Sequence, residues 1–332
     1  MTGAGLKELA ALKSLQALDI GGTMATDAGL KGLAGLKGLQ ALSIGHTDVT
    51  GAGMKELTGL KSLQVLDLSR TKVTDAGLDE LASVENLQSL DLSHTHVTGV
   101  GLKGLAGLKS LQALNLAHAR LTDAGMKVLA GLKSLQALNV AQTDVTDVNV
   151  RELAALKSLH SLNLEQVYVT DAGFKELARL KKLQSLHLVR TQMTDAGLKH
   201  LAGLKYLQTL DLSYTDVTGT GLKELAGLKT LQSLNIGCTQ ATDAGLKHLA
   251  GLKSLQSLSL STTNVTGAGL KELAVLKSLQ SLNLRMTNVT YGMDELRESL
   301  PACEISRSLA CVGERKVAGA VAGVVFLRTS TC

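Results

Sequence analysis

The chain has 332 residues, of which 45% are hydrophobic, yet it contains no Trp, two Phe, four Tyr and a single Pro. A core with so few aromatic residues must be aliphatic, and this monotony indicates internal repetition instead of two ordinary globular domains. The formal net charge of +5, from 34 basic and 29 acidic residues, is mild for this length and implies no requirement for a polyanionic partner.

The sequence repeats every 24 residues, without insertion, as far as Asn288. Repeat one ends at residue 24, and a leucine marks the same phase in each of the twelve repeats: Leu18, Leu42, Leu66, Leu90, Leu114, Leu138, Leu162, Leu186, Leu210, Leu234, Leu258 and Leu282. A shortened thirteenth repeat follows and ends at Ile305. We therefore predict one repeat domain over residues 1–305 and a tail outside the repeat over residues 306–332.

Each repeat combines a strand segment with a helix segment. The stretch from Leu63 to Leu68 alternates apolar and polar residues, which predicts a short strand with one buried face. The stretch from Thr74 to Leu81 spaces its apolar residues three apart behind residues that can cap a helix. A helix between successive strands makes the sheet parallel and the coil right-handed, and stacking of neighbouring repeats supplies the core. The predicted fold class is an α/β solenoid.

The repeat reads LxxLxLxxTxVTDAGLKELAGLKS and closely resembles the leucine-rich-repeat family, specifically the 24-residue ribonuclease-inhibitor-like and bacterial kind. This resemblance implies an arc or horseshoe with a parallel sheet on the concave face and short helices on the convex face. It also implies a non-enzymatic protein–protein interaction scaffold that binds a protein partner on the concave face. Two alternatives stay open: the substrate-recognition arm of a larger assembly such as a ubiquitin ligase, and a structural spacer.

One repeat position departs from the family pattern. The family usually has Asn or Cys where this chain has Thr, as at Thr47, Thr71 and Thr95. A Thr hydroxyl can still bond the neighbouring backbone, but Ala119 and Val167 cannot. We therefore expect repeats five and seven to lose a polar bond and to be locally irregular.

Sequence variety is concentrated at the position just before this Thr. Most other strand positions carry small or short polar residues, whereas this position includes His, Arg, Gln, Tyr, Cys and Met. Large side chains that are not needed for stacking can anchor a partner, although neutral drift would give the same variety. We predict that partner contacts centre on repeats four to nine, at His94, His96, His118, Arg120, Gln166, Tyr168, Arg190 and Tyr214. Asn149, which replaces a recurrent Gly, also lies in this stretch.

No sequence motif predicts catalysis or a cofactor. The run from Gly99 to Gly104 matches GxGxxG, but Gly101 recurs in most repeats and reflects close packing or the tight entry to the helix. Ser, His and Asp recur at equivalent positions of successive repeats, whereas nucleophilic catalysis needs one uniquely oriented set of such residues. We predict no catalytic residues and no cofactor.

Three histidines and the basic residues suggest other ligands. Because equivalent positions of adjacent strands lie about 5 Å apart, His94, His96 and His118 could share a metal, but further ligands are not evident. A solvated histidine pair that loosens a contact when protonated near pH 6 is the alternative. Nucleic-acid binding would need a basic groove with aromatic platforms, and the strands offer few aromatics beside several Asp residues, so we predict no nucleic-acid partner.

The remaining features concern location. Lysine occurs twice in most repeats on the predicted outer face, as at Lys31 and Lys37, and indicates mainly a solvated surface. The apolar run from Val317 to Leu327 has eleven residues and is too short to span a bilayer, which requires about 20. The four cysteines have no regular spacing, and the first residues already lie inside a repeat. We therefore expect free thiols, no secretion signal and a cytoplasmic protein.

Overall fold

The computed structural model describes residues 3–307. One strand from each repeat joins a single thirteen-stranded parallel sheet, in which the spatial order equals the chain order. The strands are β1 (Ala17–Asp19), β2 (Ala41–Ser43), β3 (Val65–Asp67), β4 (Ser89–Asp91), β5 (Ala113–Asn115), β6 (Ala137–Asn139), β7 (Ser161–Asn163), β8 (Ser185–His187), β9 (Thr209–Asp211), β10 (Ser233–Asn235), β11 (Ser257–Ser259), β12 (Ser281–Asn283) and β13 (Glu304–Ser306). The predicted right-handed α/β solenoid is confirmed.

Short helices on the convex face link the strands. The α-helices are α1 (Gly3–Leu9), α2 (Asp27–Leu30), α3 (Asp75–Leu81), α4 (Asp123–Leu129), α5 (Asp147–Leu153), α6 (Asp171–Leu177), α7 (Asp195–Leu201), α8 (Asp243–Leu246), α9 (Gly267–Leu270) and α10 (Met293–Ser299). The 3₁₀-helices are η1 (Lys31–Leu33), η2 (Gly51–Leu57), η3 (Gly101–Leu105), η4 (Gly221–Gly227), η5 (Lys247–Gly251) and η6 (Lys271–Leu273). Each described repeat therefore has one strand and one short helical segment, as predicted.

The kind of helix follows the first residue of the segment only in part, because α1 and α9 are α-helical although they begin with Gly3 and Gly267. The seven-residue α-helices α3 to α7 all begin with Asp. In the three repeats where Gly51, Gly99 and Gly219 replace this Asp, only the 3₁₀-helices η2, η3 and η4 form. A carboxylate in the first turn stabilises the positive end of the helix, whereas Gly adds backbone freedom and no charge.

Six of the aspartates at this position bind their repeat directly to the next one. Asp27 accepts hydrogen bonds from the Thr50 amide at 2.8 Å and from the Thr50 hydroxyl at 2.6 Å. Equivalent pairs of bonds recur at Asp75, Asp147, Asp171, Asp195 and Asp243. Burial opposes the charge on Asp195, but the hydrogen bonds from Thr218 and Thr220 hold its pKa below the usual value. This contact therefore stabilises the fold at neutral pH and is lost as the carboxylate is protonated.

Asn149 has a structural explanation. Its side-chain oxygen accepts from the Thr146 amide at 2.9 Å, and its side-chain nitrogen donates to Asp123 at 2.7 Å. The amide thus bridges two groups that pair directly in other repeats. Asn149 maintains the stack, and it does not support a nearby binding site.

The recurrent glycines are required by packing between repeats. A Cβ on Gly77 would lie 2.5 Å from the Cα of Gly51 and 3.0 Å from its carbonyl oxygen. Gly101 lies in η3 against Asp75 of the preceding repeat. The GxGxxG match is therefore part of the stacking pattern, as predicted.

The recurrent Thr that follows the strand, as at Thr47 and Thr71, closes the turn after that strand. In ten repeats its hydroxyl donates to the carbonyl three residues earlier, at 2.6 to 2.8 Å. Ala119 and Val167 lack this bond, as predicted, but the expected irregularity of repeats five and seven is wrong. β5 and β7 keep full register with both neighbours because the backbone ladder and burial of the two apolar side chains hold the turn in place.

Lysines on the outer face also join repeats. Lys37 donates to the carbonyl of Gly59 at 3.1 Å, and Lys61, Lys229 and Lys277 make the equivalent contact at 2.8 to 3.1 Å. These carbonyls lie at or just beyond the C-terminal ends of the next repeat's helical segments, where a positive charge is favourable. The lysine row therefore contributes to the stack in addition to being solvated.

None of the helices within residues 3–307 is long and apolar enough to cross a membrane. The predicted tail, including the apolar run from Val317 to Leu327, lies outside the described residues apart from its first two positions.

Candidate functional site

The variable position adopts a left-handed backbone conformation throughout the solenoid. We call these residues the left-handed row: Gly22, His46, Arg70, His94, His118, Gln142, Gln166, Arg190, Tyr214, Cys238, Thr262 and Met286. The eleven residues other than Gly22 have φ between 52° and 63°, a region that costs roughly 1 to 2 kcal/mol for residues with a Cβ. The local backbone alone would favour Gly or Asn, so the bulky side chains of this row do not serve the turn itself.

Backbone hydrogen bonds fix the left-handed row in place. The His94 amide donates to the Ala117 carbonyl at 2.9 Å, and the Arg190 amide donates to the Ser213 carbonyl at 3.0 Å. The same bond joins each member of the row from Gly22 to Thr262 to the next repeat. A row of varied side chains is thereby presented from a regularly spaced and rigid backbone.

A second exposed row follows two residues later in each repeat. We call it the edge row: Met24, Asp48, Lys72, His96, Arg120, Asp144, Tyr168, Gln192, Asp216, Gln240, Asn264 and Asn288. The buried Thr position separates the two rows, so their side chains stand on either side of a shallow groove.

The groove deepens into a depression of about 470 Å³ at repeats six to eight. Gln142, Gln166 and Arg190 line one side, and Asp144, Tyr168 and Gln192 line the other. Thr143 and Val167 also line it, and both are buried. Tyr168 is 65% exposed although it lies within this depression. The depression therefore combines an exposed ring, a cation, a carboxylate and three amides.

Arg190 connects the depression to the next repeat. Its guanidinium lies 4.7 Å from the centre of the Tyr214 ring, which is a favourable cation–π distance. Within residues 3–307 no carboxylate lies within 4.0 Å of Arg190. The Cys238 side chain raises the pKa of Tyr214 by hydrogen bonding and by its charge, and Arg190 acts in the opposite direction. Tyr214 therefore keeps its proton at neutral pH and can donate a hydrogen bond.

His94 and His118 form a stacked pair, with ring centres 3.8 Å apart and planes inclined by 25°. Because the two rings stack face to face, their nitrogen atoms point outward in nearly parallel planes and do not converge on one ion. His96 belongs to the edge row and is exposed. No group of three or more His, Cys, Asp or Glu residues between positions 3 and 307 is arranged to hold a metal. The protonation-sensitive pair suggested by the sequence stays a prediction.

The eight predicted site residues fall into two groups and two isolated positions. The structure brings His94 together with His118, and it brings Gln166, Tyr168, Arg190 and Tyr214 together around the depression. The side chains of His96 and Arg120 are exposed and form no hydrogen bond or ion pair with the described residues.

Sequence reasoning missed Gln142, Asp144 and Gln192 in the depression and did not assign Arg70 or Cys238 to the site. The 24-residue spacing could have found all five, because it places them beside predicted residues in neighbouring repeats.

Comparison with known proteins agrees with this architecture. A leucine-rich-repeat family model matches residues 37–97 and 109–166, and a second matches residues 179–202, 203–226 and 251–274. The chain belongs to the leucine-rich-repeat family. No curated protein matches it significantly.

Solved structures resemble the whole solenoid. An internalin, inlF, from Listeria monocytogenes aligns with a TM-score of 0.71 at 21% identity, covering 93% of this chain and 94% of the internalin chain. A leucine-rich-repeat protein of Leptospira interrogans aligns with a TM-score of 0.57 at 24% identity, covering 92% and 94% of the two chains. Internalin C2 of Listeria monocytogenes aligns with a TM-score of 0.50 at 27% identity, covering 72% and 92%. The fold is generally a protein-interaction scaffold and is generally not enzymatic.

Proposed function

We propose that this chain is a non-enzymatic scaffold that binds a protein partner on its concave face through repeats four to nine. The contact residues are His94, His96, His118, Arg120, Gln166, Tyr168, Arg190 and Tyr214. The observation that carries this proposal is the cluster at the depression. There, two exposed tyrosines stand on a rigid backbone ladder together with Arg190, which has no carboxylate partner among residues 3–307.

The chemistry of this cluster suits a polypeptide partner. Tyr and Arg are the residue types most enriched at binding hot spots. The Tyr168 ring offers an apolar face, Arg190 offers guanidinium donors, and Asp144 offers a carboxylate. A polypeptide can satisfy all three with side chains and backbone amides.

A cytoplasmic location is part of the proposal. It rests on the thiols, because Cys238 and Cys303 form no disulfide within the described part of the chain.

Replacing Tyr168, Arg190 and Tyr214 together by Ala tests the proposed site. A partner is first captured with the immobilised wild-type chain and identified by mass spectrometry, and its dissociation constant is then measured by calorimetry. We expect the triple variant to weaken binding by at least about 2 kcal/mol, which is roughly 30-fold, because it removes the aromatic and guanidinium anchors.

The matched control replaces Lys127, Lys199 and Tyr206 by Ala, all of which are exposed residues outside both rows. This variant should bind as the wild type does, and circular dichroism should show both variants to be folded. Wild-type affinity in the Tyr168, Arg190 and Tyr214 variant would refute the site, and a structural spacer predicts that no partner is captured at all.

A further inference from the structure

Four successive members of the left-handed row, in repeats two to five, carry basic or titratable side chains. We call His46, Arg70, His94 and His118 the basic strip. In repeats six and seven the left-handed row carries the uncharged residues Gln142 and Gln166 instead. The basic strip is therefore a local feature of the N-terminal half and is separate from the depression at repeats six to eight.

The central contact of the strip joins Arg70 to His94. The Arg70 guanidinium nitrogen Nη2 lies 3.3 Å from His94 Nε2. Because Arg is permanently charged and can only donate, this contact requires a neutral His94 whose Nε2 accepts the hydrogen bond. The His94 ring also stacks on His118. When His94 takes up a proton, the bond from Arg70 is lost and two donors are left facing each other.

Within the described chain, neighbouring carboxylates do not form ion pairs with the residues of the basic strip. No carboxylate between residues 3 and 307 lies within ion-pair distance of any residue of the strip. Burial, then His118, Arg70 and His46, lowers the pKa of His94, and only Asp91 acts in the opposite direction.

Both carboxylate oxygens of Asp91 are already engaged. One accepts from the Ser93 amide and hydroxyl at 2.8 and 2.6 Å, and the other accepts from Asn115 at 2.8 Å. Beside the strip, the edge row contributes Lys72, His96 and Arg120, of which Lys72 pairs with Asp48 at 2.7 Å. Among residues 3–307, the protonated strip therefore has no carboxylate at ion-pair distance, and Asp91, which does act on His94, is held by its own hydrogen bonds.

We propose that the basic strip binds an acidic polypeptide segment, and that its affinity for this segment increases as the pH falls below about 6.5. A carboxylate placed between Arg70 and protonated His94 accepts from both donors in charge-assisted hydrogen bonds. Repeats two to five carry no Phe, Tyr or Trp on either row, and the imidazole rings of His94 and His118 already stack on each other, which favours a chain of carboxylates over a nucleic acid. This inference rests on the proposed function, to which it adds the chemistry of one contact.

The test is an NMR titration of the histidine side chains in the full chain. The probe is tetraglutamate with an acetylated N-terminus and an amidated C-terminus, and tetraglutamine with the same ends is its control. We expect tetraglutamate, and not tetraglutamine, to raise the pKa of His94 and His118 by about half a unit or more. By linkage, its dissociation constant at pH 5.5 should be at least about threefold lower than at pH 7.5.

Two variants make the result specific. Replacing His94 and His118 by Gln should remove the pH dependence of tetraglutamate binding, whereas His200→Gln, in α7 on the convex face, should keep it. The proposal is overturned by unchanged titrations of His94 and His118. It is also overturned if His96 and His200 shift equally, or if the double variant keeps the pH dependence.

These outcomes are separate from those of the proposed function. An absent tetraglutamate effect, together with loss of partner binding in the Tyr168, Arg190 and Tyr214 variant, removes the basic strip and leaves the central site intact. A tetraglutamate effect, together with unchanged partner binding in the Tyr168, Arg190 and Tyr214 variant, removes the central site and leaves the basic strip.

Discussion

Replacing Leu138 by Asp is expected to lower the free energy of unfolding by more than about 4 kcal/mol, because it buries a charge that has no partner. Leu138 is the central residue of β6 and is only 2% exposed. It lies in register with Leu114 on one side and Leu162 on the other, so a carboxylate there would enter a continuous column of leucines.

Chemical denaturation followed by circular dichroism measures this effect. Lys127→Ala in the same repeat is the matched control, since Lys127 is exposed in α4 and should change the free energy by less than about 0.5 kcal/mol. Lys37 is a poorer control because it donates to the carbonyl of Gly59. Equal denaturation midpoints for Leu138→Asp and Lys127→Ala would show that the two faces are wrongly assigned.

Replacing Gly77 by Val should destabilise the stack by about 3 kcal/mol through overpacking. The new Cβ would lie 2.5 Å from the Cα of Gly51, and that atom belongs to a backbone that cannot move without displacing the neighbouring repeat. The measurement is again the shift in the free energy of unfolding by denaturant.

Gly203→Val provides the comparison, because a Cβ there would meet only the flexible Lys181 ammonium at 3.1 Å. We expect this substitution to change stability by less than about 1 kcal/mol. An equal loss of stability in both glycine variants would contradict this account. It would show that introducing valine at a glycine is itself destabilising and that the close contact between repeats is not the cause.

The sequence was sufficient to predict the architecture because each repeat gives the same local signal. The alternation around Leu66 and the apolar spacing around Leu78 predict a strand and a helix, and repetition every 24 residues fixes the register. The choice between α and 3₁₀ was not predicted. The first residue of the segment does not settle it, because Gly51 begins a 3₁₀-helix whereas Gly267 begins an α-helix.

The site was less predictable because it depends on backbone conformation and on neighbours 24 residues away. Nothing in the local sequence of Arg190 shows that its backbone is left-handed or that its guanidinium lies over Tyr214. Asn149 breaks the repeat pattern within the stretch predicted to bind a partner, yet its bonds to Thr146 and Asp123 give it a structural role. Irregular residues of a repeat can therefore serve either binding or stacking, and their contacts distinguish the two roles.

Photo-crosslinking most directly tests whether the concave face binds a protein. The photoreactive residue p-benzoylphenylalanine replaces either Tyr168 in the depression or Tyr206 in the turn before β9, two tyrosines with exposures of 65% and 64%. After irradiation in an extract of the source cell, crosslinked proteins are identified by mass spectrometry. We predict a specific crosslinked protein from position 168 and none of that protein from position 206. Equal crosslinking from both positions, or crosslinking from position 206 alone, would contradict partner binding on the concave face.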